Sequence, residues 1–268
     1  MSAPIFIAKT VQSSSFKNLI EDVKDIIQDA NFILDTHGIS LTAMDESKIV
    51  LVRLYLQEDK FEHYSCKSRQ TIGLNMPNLF KLIKVMTNDD TLTLFMTADE
   101  PNLLGIKIEN AVKNKITTFR LKLLDLDEEE LEIQSTATFG SVITMPSVDF
   151  QKLCRDMHYI GDIIEIRSIG QQLILKCSGD FASQETIIGQ NSQGLSLKNE
   201  SSDIIVQGLF HLKHLVSFTK CTNLSPQCSL YLKNNFPLII QYEIANLGNI
   251  RLLLAPYNMQ DGNKMMIK

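Results

Sequence analysis

Two histidines are the first candidates for chemistry in this chain. His211 and His214 stand three residues apart in a segment with helical spacing, an arrangement that can bind a transition metal. No Cys, Asp or Glu lies within a turn of them to complete a set of ligands. We therefore interpret them as a surface pair and expect neither a metal site nor a bound cofactor.

Carboxylates are concentrated near the middle of the chain. Residues 125–132 contain six of them in eight positions, without the glycine and ligand spacing of an EF-hand calcium loop. The longer segment 125–138 has no periodic apolar face, and Leu131 and Ile133 stand out in it as apolar residues. This pattern predicts an exposed linker whose two apolar residues serve either as packing anchors or as part of a binding site.

The sequence motifs of several enzyme classes are missing. The chain contains no P-loop, no dinucleotide-binding GxGxxG, no GxSxG and no HExxH. The segment 189–194 (GQNSQG) is only superficially similar to a nucleophile elbow, because its spacing is wrong. Without a convergent acid, base and nucleophile, we predict that the protein is not an enzyme.

Four segments that carry polar side chains of interest show the hydrophobic spacing of amphipathic helices. Strand-like segments with alternating or β-branched residues separate them. The order is helix, strands, helix, strands, and then the same again, which predicts an α+β fold. The predicted helices are 14–29, 75–86, 147–158 and 209–220.

The second half of the chain repeats the first. The pattern of 16–22 recurs at 150–156, an offset of 134 residues, and that of 79–83 recurs at 212–216, an offset of 133. Three segments repeat in the same order, and the third recurs at an offset of 136. A duplicated domain explains this order, and we predict two similar domains of about half the chain each.

Basic side chains lie on the polar faces of the four predicted helices. Lys81 and Lys84 oppose the apolar stripe of the second helix, and Lys152 and Arg155 have the same spacing in the third. An ordinary solvated face explains one such helix. Four of them in a chain of net charge -5 favour contact with a phosphate backbone, although acidic residues weaken the pattern in the first helix. The other cations of these faces are Lys17, Lys24, Lys213 and Lys220.

The five cysteines are odd in number and form no CxxC pair, which predicts free thiols in a reducing compartment. The chain start lacks the basic region and long apolar core of a secretory signal. No apolar run approaches the length of a membrane span.

Several stretches resemble the sliding-clamp family of the proliferating cell nuclear antigen type. They occur in family order from about residue 8 to residue 257. The matching stretches are 41–47 (LTAMDES), 121–127 (LKLLDLD), 145–147 (MPS), 154–157 (CRDM), 160–162 (IGD), 218–220 (FTK), 237–242 (PLIIQY) and 254–256 (LAP).

The resemblance implies a DNA clamp fold of α+β class. In that fold each of two similar domains has two helices on the inner face and antiparallel sheets outside, and three chains form a ring. The implied divisions are an N-terminal domain at 1–123, a connector at 124–138, a C-terminal domain at 139–257 and a flexible tail at 258–268.

Within the ring, the resemblance assigns the helix cations to double-stranded DNA, which would be held without regard to sequence. The implied DNA-facing residues are Lys17, Lys24, Lys81, Lys84, Lys152, Arg155, Lys213 and Lys220. Ring closure in the family pairs an edge strand of each domain with its neighbour. The residues implied for this subunit interface are Lys115, Phe119, Leu121, Phe181 and Ile187.

The family also binds polymerases, a clamp loader, ligases and nucleases through short peptides that contain a glutamine and aromatic residues. The peptide enters a pocket beneath the connector. The implied pocket residues are Met44, Ile49, Leu131, Ile133, Pro237, Leu253, Ala255 and Pro256. Lys48 and Leu253 depart from the family pattern, which leaves the peptide preference open.

These features give a leading hypothesis and two alternatives. The leading one is a homotrimeric sliding clamp, a polymerase processivity factor of DNA replication and repair in the nucleus, or at a cytoplasmic replication site if the chain is viral. The first alternative is a subunit of a heterotrimeric checkpoint-type clamp. The second is a peptide-binding adaptor that never encircles DNA.

Overall fold

A computed structural model describes residues 3–127, 138–189, 194–200 and 205–257. It divides the chain into two compact units that are not continuous in sequence. Unit 1 comprises the described residues of 1–43, 52–131 and 243–250, and unit 2 comprises those of 44–51, 132–242 and 251–268. None of the helices in the described residues is long and apolar enough to cross a membrane.

The N-terminal half of the chain begins with a strand and a helix and continues through alternating strands. In chain order its elements are β1 (Pro4–Thr10), α1 (Ser13–Val23), β2 (Asp29–Asp35), β3 (Gly38–Met44), β4 (Val50–Gln57), β5 (His63–Cys66), β6 (Gln70–Asn75), α2 (Met76–Ile83), β7 (Asp90–Thr97), β8 (Leu103–Asn110) and β9 (Lys115–Lys122).

The C-terminal half has the same plan. Its elements are β10 (Ser141–Pro146), α3 (Ser147–His158), β11 (Ile163–Ile169), β12 (Gln172–Ser178), β13 (Ser183–Gly189), β14 (Ser196–Asn199), β15 (Val206–His211), α4 (Leu212–Phe218), β16 (Gln227–Leu232), β17 (Leu238–Ile244) and β18 (Gly248–Leu254). A short 3₁₀ helix, Thr219–Asn223, continues α4.

Unit 1 packs two helices with antiparallel strands. Its five-stranded sheet has the order β5-β1-β7-β8-β9, so β9 is a terminal strand. The apolar faces of α1 and α2 are buried, as the helical spacing predicts: Phe16, Leu19 and Ile20 are at most 2% exposed. Helix α2 begins where the Asn75 side chain accepts a hydrogen bond from Asn78 N at 2.9 Å, which satisfies an otherwise unpaired helix donor.

Unit 2 repeats this construction. Its four-stranded sheet has the order β13-β12-β11-β15, so β13 is terminal. Helix α3 follows β10 without a break, and Phe150, Cys154 and Met157 on its inner face are fully buried. The Gln151 side chain donates to Thr219 O at 2.7 Å and joins α3 to the 3₁₀ helix after α4.

The α+β class and the two helices in each half are confirmed, but three of the four predicted helices have other limits: α1 is Ser13–Val23, α2 is Met76–Ile83 and α4 is Leu212–Phe218. Helix α1 ends at Val23, and Asp29 instead opens β2, where it pairs with Asn75 of β6. Likewise Leu209 belongs to β15 and pairs with Glu165 of β11. Apolar spacing continues across these junctions, whereas the strand partners that hold Asp29 and Leu209 outside the helices are distant in sequence.

All five cysteines are free and buried. Burial raises the pKa of the Cys154 and Cys228 thiols far above the ordinary value, so these side chains act as small apolar groups. Free thiols are therefore confirmed.

Candidate functional site

Helix α2 presents two cations to solvent. Lys81 lies on the exposed face of the helix and Lys84 is its C-cap, also exposed, while Met76, Leu79 and Ile83 are buried on the opposite side. The Lys81 ammonium makes a long 3.3 Å contact with the Asn78 side chain. Because the helix carries no acidic residue, both charges are available to an anion.

Helix α1 holds its two lysines differently. Lys17 Nζ donates to Met86 O at 2.8 Å, and Lys24 Nζ pairs with the Asp25 carboxylate at 2.7 Å while lying 5.1 Å from the centre of the Phe80 ring. Both lysines are half-buried. Their ammonium groups already have partners within unit 1, so an approaching phosphate would have to compete with these contacts.

Unit 2 carries its cations on α3, α4 and the following 3₁₀ helix. Lys152 and Arg155 are exposed on α3, Lys213 is exposed on α4, and Lys220 is exposed in the 3₁₀ helix. The packing of α3 against α4 brings these elements side by side. Asp149 and Asp156 of α3 share a cleft of about 310 Å³ with Lys152 and reduce the positive potential there.

Both terminal strands expose apolar side chains. On β9, Ile116 is 62% exposed, while Phe119 and Leu121 are half-buried toward the other face and Lys115 is exposed. Beside and on β13, Phe181 is 77% and Ile187 is 57% exposed. Within the described ranges each terminal strand has one sheet neighbour, so a row of its backbone donors and acceptors has no strand partner there.

A tight turn in unit 2 positions the first part of the expected peptide pocket. Asp45 Oδ1 accepts hydrogen bonds from Ile49 N at 2.9 Å and Val50 N at 2.7 Å. Lys48 within this turn has φ 57°, a left-handed conformation that an L residue adopts at a cost. The turn therefore fixes Ile49 in place through backbone bonds made by one carboxylate.

The same turn is joined to the end of the C-terminal strand. Ala255 N donates to Ile49 O at 3.0 Å. Ile49, Leu253 and Ala255 are all less than 9% exposed, whereas Met44 and Pro256 are half-buried. The structure thus brings the 44–49 turn and the 253–256 segment together, with Ile49, Leu253 and Ala255 buried and Met44 and Pro256 partly exposed.

Pro237, Leu131 and Ile133 are the remaining predicted pocket residues. Pro237 is half-buried immediately before β17. Leu131 and Ile133 lie outside the described residues, so their predicted place in the pocket rests on the sequence alone.

Two family models together match nearly the whole chain. The N-terminal domain of proliferating cell nuclear antigen matches residues 5–130, and its C-terminal domain matches residues 133–257. The chain belongs to the proliferating cell nuclear antigen family. The two matches correspond to the two repeats found in the sequence, each with two helices and antiparallel strands, which confirms the α+β DNA clamp fold.

Two relatives of this family align along almost their full length. The chain is 33% identical over 256 residues to the probable DNA polymerase sliding clamp 1 of Paramecium bursaria Chlorella virus 1, covering 94% of this chain and 97% of the relative. It is 34% identical over 257 residues to the proliferating cell nuclear antigen of Dictyostelium discoideum, covering 94% and 99%.

In this member of the proliferating cell nuclear antigen family the histidine pair is only partly exposed. His211 and His214 are both half-buried, and the Nε2 atom of each is buried with no hydrogen-bond partner in the part of the chain that the structure describes. The surface-pair interpretation is therefore only partly correct, because both side chains are partly exposed while their Nε2 atoms are buried and the His211 ring lies against Tyr257. Among the described residues, no cluster of three or more His, Cys, Asp or Glu side chains could hold a metal ion.

Three residues that shape the candidate surfaces of this family member are not predicted by the sequence patterns. Ile116 on β9 has a weak signal, its alternation with Lys115 and Thr117. Asp45 lies in a matching stretch, but nothing there indicates that its carboxylate organises the turn. Gly73 has no sequence signal of its own. A Cβ atom at this position would meet the main-chain oxygen of Leu124, which is distant in sequence.

Proposed function

We propose that this protein is a sliding clamp: three copies form a ring around duplex DNA, hold a polymerase on its template and recruit other replication and repair enzymes. Membership of the family supports the proposal, together with the names of the two relatives, a polymerase sliding clamp and a proliferating cell nuclear antigen. The formation of a ring is supported by one observation: β9 and β13 are edge strands that expose apolar side chains.

Open edges of this kind favour association. A strand with unpaired backbone groups and exposed Ile or Phe side chains pairs readily with another strand. Because β9 and β13 differ, pairing β9 of one chain with β13 of the next is a head-to-tail contact. Such contacts generate a closed ring when the rotation between successive chains brings the last chain back to the first. We propose Lys115, Phe119, Leu121, Phe181 and Ile187 for this interface and add Ile116 to them.

The exposed helix cations support a role in holding DNA. Lys81, Lys84, Lys152, Arg155 and Lys213 extend from faces opposite a buried apolar stripe. Sparse lysines and arginines suit phosphate contacts, which carry no sequence information and would let a ring slide. Lys220 is also exposed and is included in this proposal, and Lys17 and Lys24 would contribute less than Lys81 and Lys84 because their ammonium groups are engaged.

Partner recruitment is proposed for the pocket formed by the 44–49 turn and the 253–256 segment. Polymerase, clamp loader, ligase and nuclease peptides would place aromatic side chains on the apolar floor of Ile49, Leu253 and Ala255. Replacing Leu131→Ala together with Ile133→Ala should abolish binding of a fluorescent peptide that contains a glutamine and two aromatics. Unchanged affinity would remove the connector from the pocket.

In this proposal the protein performs no chemistry of its own and acts in the nucleus or at a viral replication site. The domain limits are proposed as 1–123 and 139–257, with the connector at 124–138 and a tail at 258–268. A ring of three chains needs no cofactor, since the edge strands and helix faces supply both contacts.

Native mass measurement tests the assembly. We expect a mass near three chains for the natural sequence and near one chain for the double variant Phe181→Asp with Ile187→Asp. Val11→Asp is the matched control, because Val11 is 56% exposed in unit 1 outside the proposed interface and should leave the trimer intact. A monomer that assembles only with different chains would favour the heterotrimeric clamp, and a stable monomer would favour the adaptor.

A further inference from the structure

Three aromatic rings form a cluster in unit 2 that the proposed function leaves without a role. The ring of His211 lies 6.2 Å from that of His214 and 5.0 Å from that of Tyr257, centroid to centroid, and both contacts are edge-to-face. All three side chains are half-buried. We call His211, His214 and Tyr257 the ring cluster.

The ring cluster contains buried polar atoms without partners. The Nε2 atoms of His211 and His214 are both buried, and neither has a hydrogen-bond partner among the described residues. Buried nitrogen atoms are normally hydrogen-bonded, and leaving one unpaired costs free energy. A proton added to the buried Nε2 atom of His214 would create a charged donor that has no hydrogen-bond partner among the described residues in the present arrangement.

The ring cluster is joined to one wall of the proposed peptide pocket. Tyr257 directly follows Ala255 and Pro256, and its amide donates to Leu209 O at 2.7 Å. Ala255 in turn donates to Ile49 O. Holding the Tyr257 ring against His211 therefore helps to keep the 255–257 segment in the position that forms the pocket.

The ring cluster is also coupled to the other wall. Three titratable groups act on His214. Lys213 and His211 are close to it in sequence, and Asp45 lies in the turn that positions Ile49. Burial lowers the pKa of His214. The positive charge of Lys213 and the neighbouring His211 lower this pKa further, and the Asp45 carboxylate offsets only part of the lowering. His214 is consequently neutral at pH 7, with Asp45 nearby as the attraction for a protonated ring.

We propose that the ring cluster is a proton-sensitive latch on the peptide pocket, closed when the His214 imidazole is neutral and released when it takes up a proton. On protonation the His214 ring turns from its buried position toward water or Asp45 and leaves His211. The His211 ring then loses its contact with His214, and the Tyr257 ring that packs on His211 loosens together with the 255–257 segment. This inference rests on the proposed peptide-binding function of the pocket.

The direction of the pH effect follows from the lowered pKa. The closed pocket binds a proton on His214 less readily than the released form, whose His214 has an ordinary pKa near 6.5. Closure is therefore fully favoured above that ordinary pKa and is progressively lost as the pH falls below it. Peptide affinity should weaken on acidification through the range from about 7.5 to 5.5.

Peptide binding at two pH values tests the latch. The probe is a fluorescein-labelled peptide with one glutamine and two aromatic residues and without His, Asp or Glu, and its anisotropy is measured at pH 7.5 and 5.5. We expect Kd to rise roughly three- to tenfold at the lower pH for the natural sequence. The ratio of the two Kd values should fall to about one in His214→Phe.

A matched control separates the latch from general titration of the protein. His158→Gln removes an exposed histidine at the end of α3 in the same unit and should keep the ratio of the natural sequence. A ratio close to one in the natural sequence, or an unchanged ratio in His214→Phe, would overturn the latch. Absence of peptide binding at both pH values would contradict the proposed pocket instead.

A second measurement tests the latch without any peptide and without a variant. Hydrogen exchange of the Tyr257 amide, corrected for the intrinsic rate at each pH, reports whether its bond to Leu209 O opens. We expect the protection factor to fall roughly three- to tenfold between pH 7.5 and 5.5. A constant protection factor would contradict the latch whatever the peptide does.

Discussion

The main chain of Leu124 lies directly against Gly73 of β6. Leu124 N donates to Gly73 O at 2.8 Å, and a Cβ atom at Gly73 would stand 2.4 Å from Leu124 O. The Asn31 side chain adds hydrogen bonds to the main chain of Leu126 and Asp127. The beginning of the proposed connector is thus fastened to two strands of unit 1, and its close approach to β6 is one that only glycine permits.

Gly73→Ala should lift the connector from β6. The added Cβ meets a backbone oxygen that cannot move aside as a flexible side chain would, and overpacking of this kind costs about 1–3 kcal/mol. We expect lower stability in urea unfolding and weaker peptide binding. Gly189→Ala is the control, with both changes made in the Phe181→Asp, Ile187→Asp background because Gly189 belongs to the proposed interface strand β13; a Cβ there meets nothing within 4 Å and should leave stability within about 0.5 kcal/mol. Equal effects of the two changes would contradict this explanation of the glycine.

Asp90 should make the stability of unit 1 dependent on acid pH. Burial alone raises its pKa, but hydrogen bonds from Thr87 and Asn110 outweigh burial and lower the pKa below the ordinary value. The unfolded chain therefore binds this proton more readily. The stabilisation is present above the ordinary carboxyl pKa and is lost as the pH falls through the lowered one.

Asp90→Asn should consequently cost about 1–3 kcal/mol at pH 7 and lose less stability than the natural sequence on going from pH 5 to pH 3. Urea unfolding at the three pH values measures both effects. The neighbouring Asp89 is exposed, so Asp89→Asn should behave like the natural sequence. An acid response of Asp90→Asn as large as that of the natural sequence would show that other carboxylates dominate.

The helix lysines should not contribute equally to DNA binding. Lys81→Ala with Lys84→Ala removes two exposed cations, whereas Lys17→Ala with Lys24→Ala removes cations that already have partners. We expect the first pair to weaken duplex binding more. It should also reduce the slope of log affinity against log salt concentration by about 0.9 for each phosphate that is no longer neutralised.

Anisotropy titrations of a labelled duplex at several salt concentrations measure both effects. Lys60→Ala is the control, because this exposed lysine is paired with Asp59 and lies outside the four helices. A larger effect of the α1 pair than of the α2 pair would reverse the ranking.

Local patterns predicted the elements well where the helix and its cap lie close together in sequence. Helix α3 has the predicted limits because Pro146 precedes it and its apolar stripe ends with Met157. The α1 prediction ran on to Asp29, since the apolar residues at 26 and 27 keep the helical spacing while the β2–β6 pairing decides the boundary.

For the candidate site, too, local spacing predicts some features, and contacts between distant residues decide the others. Exposure of Lys81 and Lys84 follows from helical spacing alone, but the engagement of Lys17 depends on Met86 O, which is 69 residues away. The burial of His214 could not be read from its helix, because Asp45 and the ring of His211, itself against Tyr257, reach it from other elements. Side-chain periodicity identifies faces, and tertiary contacts decide which members of a face remain available.

Topological retention on DNA tests the sliding clamp most directly. The protein is loaded by a clamp loader onto a nicked circular duplex, excess protein is removed, and the fraction that stays bound is followed before and after the circle is cut once. A ring that encircles the duplex should stay on the closed circle at moderate salt and leave rapidly from the free ends after cutting. Equal retention on circular and linear DNA would contradict encirclement, and with it the roles proposed for the edge strands and the helix cations.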